Sequence, residues 1–179
     1  MGQAYFKLND FERSEQFLLK AVKLKDNLWE ACNLLGMIYD YRKQFKWAID
    51  QYTQAILINP KEGMLYNNLG VSYMMAGDNQ RAIKAFKAAL KADYRTEKLY
   101  NNLGLALSKS GNYQQAFETF RKAGNLPAAY NNLGCVFLNQ GNYLKAVKCF
   151  EKAIELDPAF YARASENLNR ARMSLSQAQ

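Results

Sequence analysis

Apolar positions along the chain recur with a helical period that restarts at regular intervals. The string NNLG stands at Asn67–Gly70, Asn101–Gly104 and Asn131–Gly134, and NLLG at Asn33–Gly36. Gly36, Gly70 and Gly104 are 34 residues apart, Gly134 follows after 30, and 34 residues before Gly36 stands Gly2. Other residue types keep fixed distances from these glycines. Three residues on stand Tyr5, Tyr39, Tyr73, Leu107 and Phe137; twelve on stand Ser14, Ala48, Ala82, Ala116 and Ala146. Sixteen on stand Leu18, Tyr52, Phe86, Phe120 and Phe150; nineteen on, always alanine, stand Ala21, Ala55, Ala89, Ala123 and Ala153. The pattern predicts two helices per repeat. The glycine lets the backbones approach, the small residues let the second helix press in, and the bulky residues fill the space between. Gly77, Gly111 and Gly141 mark the turn inside a pair, and Pro60 and Pro158 stop the second helix. One pair cannot bury its own apolar face, so neighbours must stack.

This motif set resembles the tetratricopeptide repeat (TPR) family over almost the whole chain. The resemblance implies an all-α fold: a right-handed superhelix of helix hairpins, its concave surface lined by the first helix of each pair. The repeats fall at 1–28 (partial), 29–62, 63–96, 97–126 (shortened) and 127–160, in a single solenoid over 1–179. Residues 161–179 place Tyr161, Ala164, Leu168, Ala171 and Leu175 at helical spacing, with Arg163, Glu166, Arg170 and Arg172 opposite. They read as a capping helix.

Two repeats depart from the pattern. Met1 falls one residue before the first repeat glycine, so the first half of that helix is absent from the register. The expectation is a chain that is part of a longer protein, with apolar surface around Tyr5 and Phe6 open to self-association. The fourth repeat is four residues short, about one helical turn. Its second helix is expected to end near Ala123, with Gly124 and Asn125 as the breaker.

Family geometry turns a defined set of first-helix positions towards the groove. It includes Asn68, Asn102 and Asn132, two residues before the repeat glycines, and Asn33, Asn67, Asn101 and Asn131, three before. An amide offers two donors and an acceptor, so a row of them suits the backbone of an extended peptide. The row resembles the asparagine-lined TPR superhelix of O-linked GlcNAc transferase, in its groove pattern only. The asparagines also suit bonds between neighbouring helices. Met37, Val71, Met74, Met75, Leu105, Cys135 and Leu138 lie between them and give the groove an apolar, adaptable character. The carboxylate clamp of co-chaperones needs five matching residues. At Asn33, Met37, Asn68, Lys98 and Asn102, only Asn68 and Lys98 match, so a chaperone tail is not expected.

The net charge is +8, carried mostly by second helices at Lys84, Lys87, Lys91, Arg121, Lys122, Lys145, Lys148 and Lys152. This reads as a solvated convex face, and no nucleic-acid partner is expected. The chain has no histidine and three cysteines without CxxC spacing, Cys32, Cys135 and Cys149. Histidine-based catalysis is excluded, and neither a zinc site nor a disulfide framework is expected. No nucleophile–base pair or phosphate-binding glycine loop appears, so the expectation is a non-enzyme without cofactor or metal. No apolar run reaches the roughly 18 residues that span a bilayer. Free cysteines favour the cytoplasm; an envelope location requires a signal upstream of Met1.

The functional expectation is a scaffold that binds a segment of a protein partner in the concave groove. Its alternatives are a self-assembling structural oligomer and an envelope-associated assembly factor. For the latter, FRKAGNLPAAYNNLG together with FYARASENLNRAR looks like the bacterial TPR proteins of tight-adherence (Flp) pilus assembly.

Overall fold

The protein is described by a computed structural model over residues 1–25, 27–157 and 161–177, with no side-chain description for 161–163. The stop expected at Pro158 and the side chains of Tyr161 and Arg163 lie outside the described residues. The fold is all-α, without strands among the described residues. It divides into two compact units, Met1–Arg95 and Thr96–Gln179.

The first unit holds three helix pairs: α1 (Gly2–Lys7) with α2 (Phe11–Leu24), α3 (Trp29–Tyr41) with α4 (Phe45–Ile58), and α5 (Gly63–Met75) with α6 (Asn79–Lys91). The second unit holds α7 (Glu97–Lys109) with α8 (Tyr113–Ala123), α9 (Leu126–Asn139) with α10 (Tyr143–Leu156), and α11 (Tyr161–Gln177) against α10.

Each pair closes through the same turn. The residue seven after the repeat glycine is left-handed, with φ of 58° at Asn9, 59° at Lys43, 87° at Gly77, 80° at Gly111 and 73° at Gly141. The next amide reaches back five residues, as in Asp10 N–H to Tyr5 O (3.0 Å) and Asp78 N–H to Tyr73 O (2.8 Å). The left-handed residue's own amide bonds three back, Lys43 to Asp40 O (2.9 Å) and Gly111 to Ser108 O (3.0 Å). This is a Schellman turn, repeated five times. Glycine meets its backbone demand at three positions; Asn9 and Lys43 adopt it without glycine.

Inside each pair the repeat glycine faces the residue sixteen further on. A Cβ on Gly36 would stand 2.6 Å from the Tyr52 ring, on Gly70 2.5 Å from Phe86, on Gly104 2.5 Å from Phe120 and on Gly134 2.6 Å from Phe150. Those rings are buried, as are Ala48, Ala82, Ala116 and Ala146 on the same faces. Ser14, in the alanine position of the first repeat, is buried too and donates to Gly2 O at 2.9 Å. The hydroxyl is satisfied by that backbone carbonyl.

The short fourth repeat ends α8 at Ala123, as its register predicts. Gly124 is extended rather than left-handed. Asn125 starts the next helix instead of stopping this one: its Oδ1 accepts from Ala128 N–H (2.9 Å), and Pro127 occupies the first turn of α9. In α11, Ala164, Leu168 and Ala171 are buried while Glu166, Arg170 and Arg172 are exposed.

Candidate functional site

The asparagines lie on α3 and α5 of the first unit and on α7 and α9 of the second. In the first unit, Asn68 Nδ2 donates to Asn33 Oδ1 across the two helices at 3.0 Å. Asn67 Nδ2 donates to Asn68 Oδ1 at 3.4 Å. Asn33 and Asn67 are buried; Asn68 is half-buried. Of the apolar candidates beside them, Met37 and Met75 are exposed, Val71 is half-buried and Met74 is buried.

The second unit repeats the arrangement. Asn132 Nδ2 donates to Asn101 Oδ1 at 3.0 Å. Asn167 of α11 continues it, donating to Asn131 Oδ1 at 3.3 Å and lying 3.5 Å from Cys135 Sγ. Asn131 is buried; Asn101, Asn102, Asn132, Leu105, Cys135 and Leu138 are half-buried, and Lys98 is exposed. In each unit, then, an asparagine two before the glycine donates to the asparagine three before the preceding glycine. The inter-helix bond uses one N–H of Asn68 and one of Asn132, and the second N–H of each has no partner among the described residues.

A second polar cluster escaped the sequence reading. Asp40, on the last turn of α3, is half-buried. Ser72 Oγ of α5 donates to both its oxygens at 2.8 Å, and the Tyr52 hydroxyl of α4 donates to Oδ2 at 3.0 Å. Burial raises the Asp40 carboxyl above the usual range, against the opposing pull of the two donors. The same burial, together with the Asp40 charge, holds the Tyr52 hydroxyl protonated far beyond its usual range. One signal was available: Tyr52 is the lone tyrosine in a series of phenylalanines and a leucine. Its extra oxygen needs a partner wherever the ring is buried.

Lys84, Lys87, Lys91, Arg121, Lys122, Lys145 and Lys148 are exposed on the even-numbered helices. Cys32, Cys135 and Cys149 are free. Burial raises all three thiols, Cys149 to about 11. Among the described residues no His, Cys, Asp or Glu group is arranged to hold a metal ion, and no helix is long and apolar enough to cross a membrane.

Family profiles described as tetratricopeptide repeat match residues 1–28, 29–62, 67–130 and 127–160. A crystal structure of MamA is similar to the chain with a TM-score of 0.73 and 25% identity, over 87% of this chain and 93% of that one. YrrB, a TPR protein with an unusual peptide-binding site, matches with a TM-score of 0.71 and 22% identity, over 88% of this chain and 83% of that one. The BBSome complex member BBS4 of Mus musculus is 33% identical over 78 residues, 44% of this chain. The match spans 15% of that relative's length.

Proposed function

The chain belongs to the tetratricopeptide repeat family, and from that premise we propose that it is a non-catalytic protein-interaction scaffold. In this reading the odd-numbered helices within each unit receive an extended segment of a partner protein. The observation that carries it is the repeated asparagine pair. Asn68 and Asn132 are each held by one inter-helix bond at 3.0 Å and keep a second N–H without a partner among the described residues. An amide already oriented loses little side-chain freedom when it bonds a ligand backbone. Each such bond contributes about 0.5–1.5 kcal/mol net, so several acting together change affinity by tens to hundreds of fold. Exposed Met37 and Met75 supply adaptable apolar contact beside the amides in the first unit. YrrB, of the same fold, is described as binding peptide.

Affinity capture from source-cell lysate tests the reading. The full chain is compared with Asn68→Ala/Asn102→Ala/Asn132→Ala, once circular dichroism shows both folded. A protein retained by the first and lost by the second supports the asparagine faces as the binding site. Retention by both removes them from it.

A specific observation favours a second reading, self-association. A cleft of about 840 Å³ between α1, α2 and α3 is lined by Phe17, Leu18, Leu24, Leu28 and Leu34, among others. Sedimentation at several concentrations tests it. A mass that rises with concentration, and reverts to monomer in Leu24→Glu, supports a subunit contact there. A monomer throughout rules it out.

A further inference from the structure

We infer that Asp40 receives a lysine or arginine side chain of the bound partner segment, which makes it a specificity residue of the proposed binding face. This rests on the reading of the odd-numbered helices as that face. Asp40 lies on α3, seven residues beyond Asn33 on the same helix, and is tied to α5 through Ser72. Both its hydrogen-bond donors, Ser72 Oγ and Tyr52 OH, are neutral.

Asp40 forms no ion pair with a lysine or arginine among the described residues. Asp10, Glu15, Asp78 and Glu151 each have one. A half-buried carboxylate without a cation is unfavourable unless something else supplies the charge. Its raised carboxyl pKa is the same imbalance seen from the proton's side. Two donors also leave part of a carboxylate's acceptor capacity unused.

The surroundings fit the rest of a basic side chain. Met37, one turn before Asp40 on α3, is 38% exposed, and Met75, one turn along α5 from Ser72, is 57% exposed. These are apolar surfaces along which the methylene stem of lysine or arginine lies while its head reaches an anion. The net charge of +8 makes this local acid stand out. A basic ligand residue has to be drawn by a specific group, because the global field repels it.

The experiment is selection of a random-peptide phage library on the immobilised full chain and, in parallel, on Asp40→Asn. The probe is then one selected peptide and its copy with arginine replaced by neutral citrulline. Peptides from the wild type are expected to carry a lysine or arginine at a fixed position beside apolar residues, and those from Asp40→Asn to lack that preference. Citrulline is expected to weaken binding to the wild type roughly 10- to 100-fold, the range for a hydrogen bond to a charged group. It leaves binding to Asp40→Asn unchanged. The citrulline comparison on the wild type stands even if the variant folds poorly. Selected peptides without a basic position, or a basic preference that survives Asp40→Asn, overturn the inference and leave the binding face intact. Failure of both proteins to select any peptide removes the peptide-binding reading, and this inference with it.

Discussion

Gly70 and Phe86 are in contact so close that a Cβ on the glycine would lie 2.5 Å from Cε1 of the ring. Phe86 is fully buried. Alanine is favoured over glycine by about 1 kcal/mol inside a helix, whereas overpacking a core costs about 1–3 kcal/mol. Overpacking therefore wins. Gly70→Ala is expected to lower the urea midpoint, and Gly70→Ala/Phe86→Leu to recover part of the loss. A midpoint raised by Gly70→Ala would contradict the packing described.

Lys43 holds a left-handed conformation at φ 59° where three of the other repeats use glycine. A side chain there costs about 1–2 kcal/mol, partly offset by the greater unfolded-state freedom of glycine. Lys43→Gly is expected to raise stability by about 0.5–1 kcal/mol, read as an increase in Tm. Gly77→Lys, the reverse exchange at φ 87°, is expected to lower it.

Most of the fold was legible because repetition makes each position a fivefold observation. The glycine, the alanine and the bulky residue recur at fixed offsets, and the structure seats them against one another. What was not legible depends on single residues. The turns at Asn9 and Lys43 lack the glycine that marks the others, yet the Schellman hydrogen bonds impose the same backbone. Asn125 reads as a helix breaker by type, but the extended Gly124 lets it cap α9. The asparagines were visible as a row. That Asn68 bonds Asn33 and Asn132 bonds Asn101 follows from the stagger of adjacent helices, which no single-repeat pattern encodes. Asp40, Tyr52 and Ser72 come from three helices and meet only in three dimensions.

The pH dependence of Asp40 has a definite sign. Its folded-state carboxyl is raised above the ordinary range, so the folded protein holds that proton more tightly than the unfolded chain. The group's contribution to stability is greatest below the ordinary carboxylate pKa and is lost as pH rises through the raised value. The stability of wild type minus that of Asp40→Asn is therefore expected to fall as pH rises from about 4, the ordinary carboxylate value, towards neutrality. Urea denaturation of both proteins across that interval checks it. A difference that grows with pH would contradict the burial of this carboxylate.

Burial pushes the Cys149 thiol up to about 11. At neutral pH its thiolate fraction is then about a hundredfold below that of an ordinary thiol. Labelling of the native Cys32→Ser/Cys135→Ser variant with N-ethylmaleimide at pH ~7.5 is expected to be slow, and to become fast in urea. Equal rates in the two conditions would show Cys149 to be open.

The most direct test of the account is a titration of a partner segment found by affinity capture against three folded proteins. These are the wild type, the Asn68→Ala/Asn102→Ala/Asn132→Ala variant, and a control with Lys84, Lys87 and Lys91 replaced by serine. Binding at the odd-numbered helices predicts an affinity loss of about tenfold or more in the asparagine variant, from several hydrogen bonds of about 0.5–1.5 kcal/mol each, and none in the lysine variant. Unchanged binding in the asparagine variant and loss in the lysine variant would contradict it, and would place the partner on the basic even-numbered helices.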